Sequence, residues 1–293
     1  MATITALSWA VLAIALKFSL QTFSSGTVVW IRMVLAFALI LSLFIKYRPD
    51  GLKILYRPPW LGILAGALIS SNYYGFIKGI ELTSASNAQI MIQLAPMSFA
   101  ILSIFAFKET PSLWQFIGLL TALSGFGFFY WDQILVSFEH LERFQEGNLW
   151  LLFAAATWAI FALIQKFLMK DWKPQEFNLL IYGLSAVFLF PTAEASELHN
   201  ISLGSWALLV FLALNTVIAY GAFAEALTRI PAAHVSVIIA INPLLTLVLM
   251  TLLTQMEVQW IAGEPIHWRG FLGAALVVTG VVTTVTAKAR LST

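Results

Sequence analysis

Residues 85–107 read ASNAQIMIQLAPMSFAILSIFAF, and residues 232–256 read AAHVSVIIAINPLLTLVLMTLLTQM. Both are apolar runs near the ~20 residues that a helix needs to cross a bilayer. Each carries a proline near its middle, Pro96 in the first and Pro243 in the second. Gln89, Gln93 and Pro96 follow an i, i+4, i+7 spacing, which places them on one helix face. Adding 147 to these positions gives Ser236, Ala240 and Pro243, so the chain states one pattern twice.

Composition sets the solvent in which that pattern works. Hydrophobic residues make up 60% of the 293 positions and charged residues 10%, well beyond the roughly 45–50% apolar share of a soluble domain. Apolar runs separated by charged or turn-forming breaks fall near 4–21, 27–45, 60–79, 86–107, 113–131, 148–169, 177–191, 203–228, 232–256 and 268–287, which predicts ten transmembrane helices in an all-α membrane protein. The first run lacks a basic leading segment and reads as a retained helix, not a signal peptide. The chain contains no cysteine, which excludes disulfides and thiolate chemistry. A net charge of +2, scattered along the chain, gives no basis for a nucleic-acid partner. The expected partners are the lipid bilayer and a small-molecule substrate, and a monomer is compatible with the pattern.

Basic residues favour cytoplasmic loops. With both termini inside, the cytoplasmic segments hold Lys46, Arg48, Lys53, Arg57, Lys108, Lys170, Lys173, Arg229, Lys288 and Arg290. The outer loops carry Asp132, Glu139, Glu142, Glu146, Glu194 and Glu197, with Arg143 and Arg269 as the basic exceptions. Further matches support an internal repeat. Trp9, Lys17 and Phe18 recur 149 positions later as Trp158, Lys166 and Phe167, and Tyr74 and Gly75 recur 146 later as Tyr220 and Gly221. Glu109, Gly118 and Gly125 recur 155 later as Glu264, Gly273 and Gly280. This divides the chain into five-helix copies at 1–143 and 144–293. Five is odd, so the second copy enters the membrane from the opposite side. Such inverted repeats are a recurrent design of secondary transporters, which bind substrate near the midplane where the copies meet.

The segments from Trp9 to Lys17 and around Arg32, then Ala95 and Pro96 followed by Glu109 and a glycine-bearing last helix, resemble the EamA domain of the drug/metabolite transporter superfamily, in both copies. The family's first helix commonly has Gly after the Trp, where this chain has Ala10 and Ala159. The resemblance implies a ten-helix bundle in the bacterial inner membrane that moves small metabolites, often outward. It implies no particular substrate.

Counting from helix ends at roughly 1.5 Å per residue puts Ser70, Ser71, Asn72, Tyr73 and Tyr74 near the midplane of the third run, and Asn215 and Thr216 near that of the eighth. Asn242 and Pro243 mark the middle of the ninth. Polar groups in hydrocarbon require partners or water. These residues therefore line a cavity or, alternatively, bond helix to helix. The substrate-binding candidates are Trp9, Asn72, Tyr73, Tyr74, Gln89, Gln93, Trp158, Asn215, Tyr220, Phe223 and Asn242. Pro96 and Pro243 are candidate hinges, each expected to kink its helix and free the carbonyl four residues back, that of Ile92 or Ile239.

The intramembrane charges form two groups: Lys17, Arg32, Lys78 and Glu81 toward the outer face, and Lys166 and Glu225, with Arg229 adjacent, toward the inner face. Two readings stand, gates that alternate by making and breaking ion pairs, or long side chains that snorkel to the interface. Glu109 and Glu264 precede the fifth and tenth runs, where a carboxylate suits a positive helix end. Gly118, Gly125, Gly273 and Gly280 are expected to let helices approach closely. The lone His234 reads as a packing residue in preference to a proton carrier. No His-Glu-x-x-His motif, Gly-x-Ser-x-Gly elbow or intramembrane carboxylate pair occurs, so no catalytic residue, metal ligand or cofactor is expected and the chain reads as a non-enzyme. A receptor would be expected to carry a sizeable loop or tail, and the loops are short. The function expected is alternating-access transport of a small, neutral or zwitterionic, amino-acid-like metabolite, with export favoured. Facilitated diffusion or import is the alternative.

Overall fold

The computed structural model describes residues 1–107, 109–110, 112–136, 141–199, 201–229, 238–264, 266–287 and 290–291. His234 and Ser236, both singled out by the sequence, lie outside the described residues, as does the side chain of Glu109. Eleven helices organise the bundle among the described residues: α1 (Ala2–Ser19), α2 (Ser25–Tyr47), α3 (Trp60–Leu82), α4 (Ala85–Met91), α5 (Leu94–Phe107), α6 (Leu113–Val136), α7 (Leu141–Leu168), α8 (Pro174–Phe188), α9 (Leu203–Arg229), α10 (Asn242–Gln255) and α11 (Trp268–Thr286). Beside them stand single helical turns and a two-residue antiparallel bridge between Glu109–Thr110 and Arg290–Leu291.

Local chemistry sets where several of these helices start. Ser24 caps α2 by accepting from the backbone N–H of Thr27 at 3.4 Å, and Ser84 caps α4 by accepting from that of Asn87 at 3.0 Å. Both caps satisfy an amide that has no partner inside the helix. Pro174 opens α8, and the Glu176 carboxylate accepts from the backbone N–H of Lys173 at 3.2 Å.

Among the described residues, seven helical segments are long and apolar enough to span a membrane, so the count of ten rests on the sequence pattern alone. The three shortfalls have physical reasons. The polar run from Ser70 to Tyr74 dilutes α3, α8 has only 15 residues, and the run 85–107 is divided between α4 and α5.

That division corrects the reading of the prolines. The helix breaks at Ile92 and Gln93, and Pro96 is the third residue of α5. The carbonyl of Ile92 is engaged, accepting from the amide of Ala95 at 2.9 Å. In the second copy a helical turn at 238–240 ends at Ile241, and Pro243 lies in the first turn of α10. Both prolines thus occupy first-turn positions, where the missing N–H would have had no intrahelical acceptor. Each stands in the first turn of the helical segment that follows a break in its apolar run.

The two halves interdigitate. α1 packs against α9, α2 against α8, α3 against α7, α4 against α10 and α6 against α11, so each pairing joins one half of the chain to the other. The contact between α6 and α11 is backbone to backbone. A Cβ built on Gly125 would stand 2.5 Å from the amide of Val277, and one on Gly280 would stand 2.3 Å from that of Ala122. Gly118 and Gly273 sit equally close to the facing helix, as the sequence led one to expect. On its outer side α6 exposes Leu113, Trp114, Phe116, Leu120 and Leu123, a surface that lipid would cover.

Candidate functional site

A cavity of about 260 Å³ lies where the two halves meet. Its lining includes nine of the side chains predicted to bind substrate: Trp9, Asn72, Tyr73, Gln89, Gln93, Trp158, Tyr220, Phe223 and Asn242. The aromatic members interlock. The ring of Trp9 lies 5.6 Å from that of Tyr220 in an edge-on arrangement and 5.9 Å from that of Phe223.

Positions related by the 147-residue offset meet at this cavity. The hydroxyls of Tyr73 and Tyr220 stand 3.5 Å apart, and the side-chain amide of Gln93 donates to the carbonyl of Ala240 at 3.4 Å. The Gln93 bond also joins the two helix breaks. Gln89 ties in a third element, donating to the carbonyl of Trp9 at 2.9 Å and accepting from the Asn242 amide at 3.3 Å.

Two candidates lie elsewhere. Tyr74 packs edge-on against Trp150 at 5.7 Å, away from the cavity, because the residue after Tyr73 points about 100° around the helix. Asn215 serves helix packing, its amide donating to the carbonyl of Ser8 at 3.1 Å, while its neighbour Thr216 lines the cavity. Asn72 does both, lining the cavity while donating to the carbonyl of Ala154 at 2.8 Å. Of the prolines, Pro96 lines the cavity and Pro243 is buried beside it. The sequence reading missed the apolar wall made by Leu12, Phe76, Val281, Val282 and Val285, since nothing in periodicity separates a cavity-facing valine from a packed one.

The charged groups divide three ways. Among the described residues Lys17 pairs with no acid. Its Nζ donates to the carbonyls of Ile80 and Thr83 at 2.8 and 2.9 Å, capping the end of α3, where orphan carbonyls and the helix dipole favour a cation. Lys78 and Glu81 pair at 2.9 Å, and Glu81 also accepts from the hydroxyl of Ser25. Arg32, placed by the sequence among the outer charges, lines the cavity at 4% exposure. At the far end of the bundle Lys166 is exposed, and Glu225 pairs with Arg229 one turn on at 2.6 Å.

One end of the bundle is latched across the halves. Glu264, in the connection after α10, accepts from the backbone N–H groups of Ala85 and Ser86 at 2.8 and 3.0 Å. Its carboxylate therefore caps α4 of the other half and not the helix that follows it, α11. Glu197 accepts from the backbone and hydroxyl of Ser24 at 2.8 and 3.0 Å, Thr27 accepts from the amide of Glu194 at 2.9 Å, and Gln21 donates to the carbonyl of Trp260 at 2.8 Å. Asp132, almost fully buried, holds His267 at 3.2 Å. In the other direction the cavity lining reaches Val285, in the last turn of α11, and Phe223, which packs near Ala2 at the start of α1.

Comparison with known proteins matches both halves of the chain to one family. The EamA-like transporter family matches residues 1–131 and again 145–286. The chain belongs to that family. An uncharacterized inner membrane transporter of Escherichia coli K12, YhbE, is 32% identical over 283 residues, covering 96% of this chain and 88% of the relative. An uncharacterized transporter of Haemophilus influenzae is 29% identical over 283 residues, with 96% and 92% covered. A solved crystal structure superposes with a TM-score of 0.66 over 97% of this chain and 95% of its own, at 18% identity, which establishes likeness of fold. As an EamA-like protein with apolar spanning helices, the chain is a multi-pass inner-membrane protein with a general transport function.

Proposed function

We propose that this EamA-like protein moves a small, neutral or zwitterionic, amino-acid-like metabolite by alternating access, in the direction of export, with both termini in the cytoplasm. The observation that carries the reading is the cavity between the repeated halves, latched at one end by hydrogen bonds from one half to the other and extending toward the opposite end. The breaks at Ile92–Gln93 and at Ile241 supply the points about which α5 and α10 reorient, with Pro96 and Pro243 fixing the start of each moving segment. Two five-helix halves at 1–143 and 144–293, inverted with respect to each other, would exchange the latched and open ends.

Purified protein in liposomes is expected to transport at least one member of a panel of amino acids and related metabolites. Absence of flux for every solute, from protein that melts cooperatively, overturns the reading. Facilitated diffusion is the second reading, favoured by the fact that no carboxylate occurs among the described residues lining the cavity. Flux measured with and without a pH gradient, then repeated with Glu225→Gln, separates the two. Proton coupling through Glu225 predicts that the gradient dependence disappears in the variant. Gradient dependence that survives the substitution excludes Glu225, and wild-type flux indifferent to the gradient favours facilitated diffusion.

A further inference from the structure

Arg32 is the least compensated charge at the cavity. Its side chain is 4% exposed and its Nε has no hydrogen-bond partner. Among the described residues no carboxylate pairs with it, and the titratable groups around it are the phenols of Tyr73, Tyr182 and Tyr220. The guanidinium lies 5.2 Å from the centre of the Tyr73 ring. That stacking uses one face of the planar group and leaves its N–H edge for an acceptor. The hydroxyl of Tyr182 is likewise buried without a partner, and those of Tyr73 and Tyr220 stand 3.5 Å apart on the cavity wall.

An arginine that only braces a membrane protein pairs with an acid or donates to carbonyls. Arg32 does neither, and an ion removed from water without a partner carries a heavy desolvation penalty. A solute carrying a negative group removes that penalty when it binds. The acceptor that suits a guanidinium edge flanked by phenols is planar and bidentate. With Phe76, Trp9 and Phe223 making much of the remaining wall apolar, the complementary solute has one carboxylate and a largely apolar side group.

We propose that Arg32, with the hydroxyls of Tyr73, Tyr182 and Tyr220, is the subsite that binds the carboxylate of the transported solute. This rests on the transport reading above and narrows it, since a solute without a carboxylate would leave the guanidinium uncompensated.

The test compares matched acids and amides on the purified full chain at constant ionic strength, using 3-methylbutanoate against 3-methylbutanamide and L-leucine against L-leucinamide, with chloride as the balancing anion. At least one acid is expected to raise the melting temperature with concentration, while its amide does not. Arg32→Gln is expected to weaken the acid's effect about tenfold or more and, because it removes an unpaired charge, to melt no lower than the parent without ligand. Tyr73→Phe and Tyr220→Phe keep the rings and should each weaken acid binding, which provides the test should Arg32→Gln not fold. Equal shifts for acid and amide, no shift with either acid, undiminished shifts in Arg32→Gln or in both tyrosine variants, or a folded Arg32→Gln that melts several degrees lower would each overturn the assignment. Flux of a solute without discrimination between acid and amide would leave the transport reading standing and remove only this subsite.

Discussion

Gly280→Val is expected to lower the melting temperature of the purified protein by roughly 5–10 °C. A Cβ at position 280 would stand 2.3 Å from the backbone amide of Ala122 and 2.5 Å from the carbonyl of Gly118. Both obstacles are backbone atoms of α6, so no rotamer change relieves the clash and the two helices must separate along their length. Separation would also loosen the cluster that Ala122, Phe129, Ala274, Val277 and Val281 form between them. Overpacking a close core contact costs about 1–3 kcal/mol, and more when backbone must move. Gly127, on the facing helix α6, supplies the control, because a Cβ there meets nothing within 4 Å. Gly127→Ala should therefore leave the melting temperature unchanged or raise it slightly, since alanine favours a helix. Equal effects at the two positions, in thermal melts monitored by a conformation-sensitive dye, would show that α6 and α11 do not rely on close approach.

The clasp made by α6 and α11 has a bearing on transport. Those two helices join the halves through interlocked backbone, as do α3 and α7 at Gly75 and Gly79, whereas α1 and α9 meet beside the cavity through side chains such as Trp9 and Thr5. A joint in which backbones interlock resists sliding, and one made by side-chain hydrogen bonds and ring edges can be remade in a second geometry. The distribution of glycine thus sets the α6–α11 and α3–α7 seams apart from the α1–α9 contact. On the proposed alternating-access reading, the pieces expected to move are those closest to the helix breaks, α4 and α5 in one half and α10 in the other.

The sequence was most legible where a pattern is repeated. The repeat also pointed to Tyr220, but it matched that residue to Tyr74, and it is the neighbouring Tyr73 whose hydroxyl meets Tyr220. Glycines at matching places in the last helix of each copy predicted their own contact. The meaning of the prolines was less legible, because a proline in an apolar run reads equally as a kink in one helix or the first turn of the next. The fold adds what spacing could not, a break at Ile92 and Gln93 and an Ile92 carbonyl engaged by the amide of Ala95. The charges were hardest. Spacing gives the depth of Lys17 and Arg32 but not the direction of the side chain, and these residues do opposite things, one capping α3 and the other facing the cavity. Glu264 carried a signal of the right kind, a carboxylate suited to a helix N-terminus, but sequence spacing ties it to the nearest helix and the fold gives it a distant one.

That distant attachment makes Glu264→Ala the variant expected to alter conformation most. The carboxylate joins the 256–267 connection of the second half to the first two amides of α4, and both Ala85 and Ser86 are fully buried. Lys17 braces the neighbouring turn from the other side through the carbonyl of Thr83. Hydrogen bonds to a charged group contribute about 1.5–3 kcal/mol each. Glu264 is partly exposed, so water can replace part of what is lost, and about 2 kcal/mol is a reasonable net cost to the latched state. A conformation with this end open would make no such bond and would lose nothing, so the ratio of open to latched molecules should rise roughly thirtyfold. Because the chain contains no cysteine, a single Ala95→Cys in the cavity lining gives a thiol without background. The protein is reconstituted in one orientation, and a membrane-impermeant maleimide is supplied from the latched face. Labelling of Ala95→Cys should accelerate roughly thirtyfold when Glu264→Ala is added, with opening as the fast preceding equilibrium. The same reagent from the opposite face should label more slowly as the population moves away. An unchanged rate from the latched face, in protein that melts normally, would mean that Glu264 fixes a local turn and that closure of this end depends on the contacts of Glu197 and Glu194 instead.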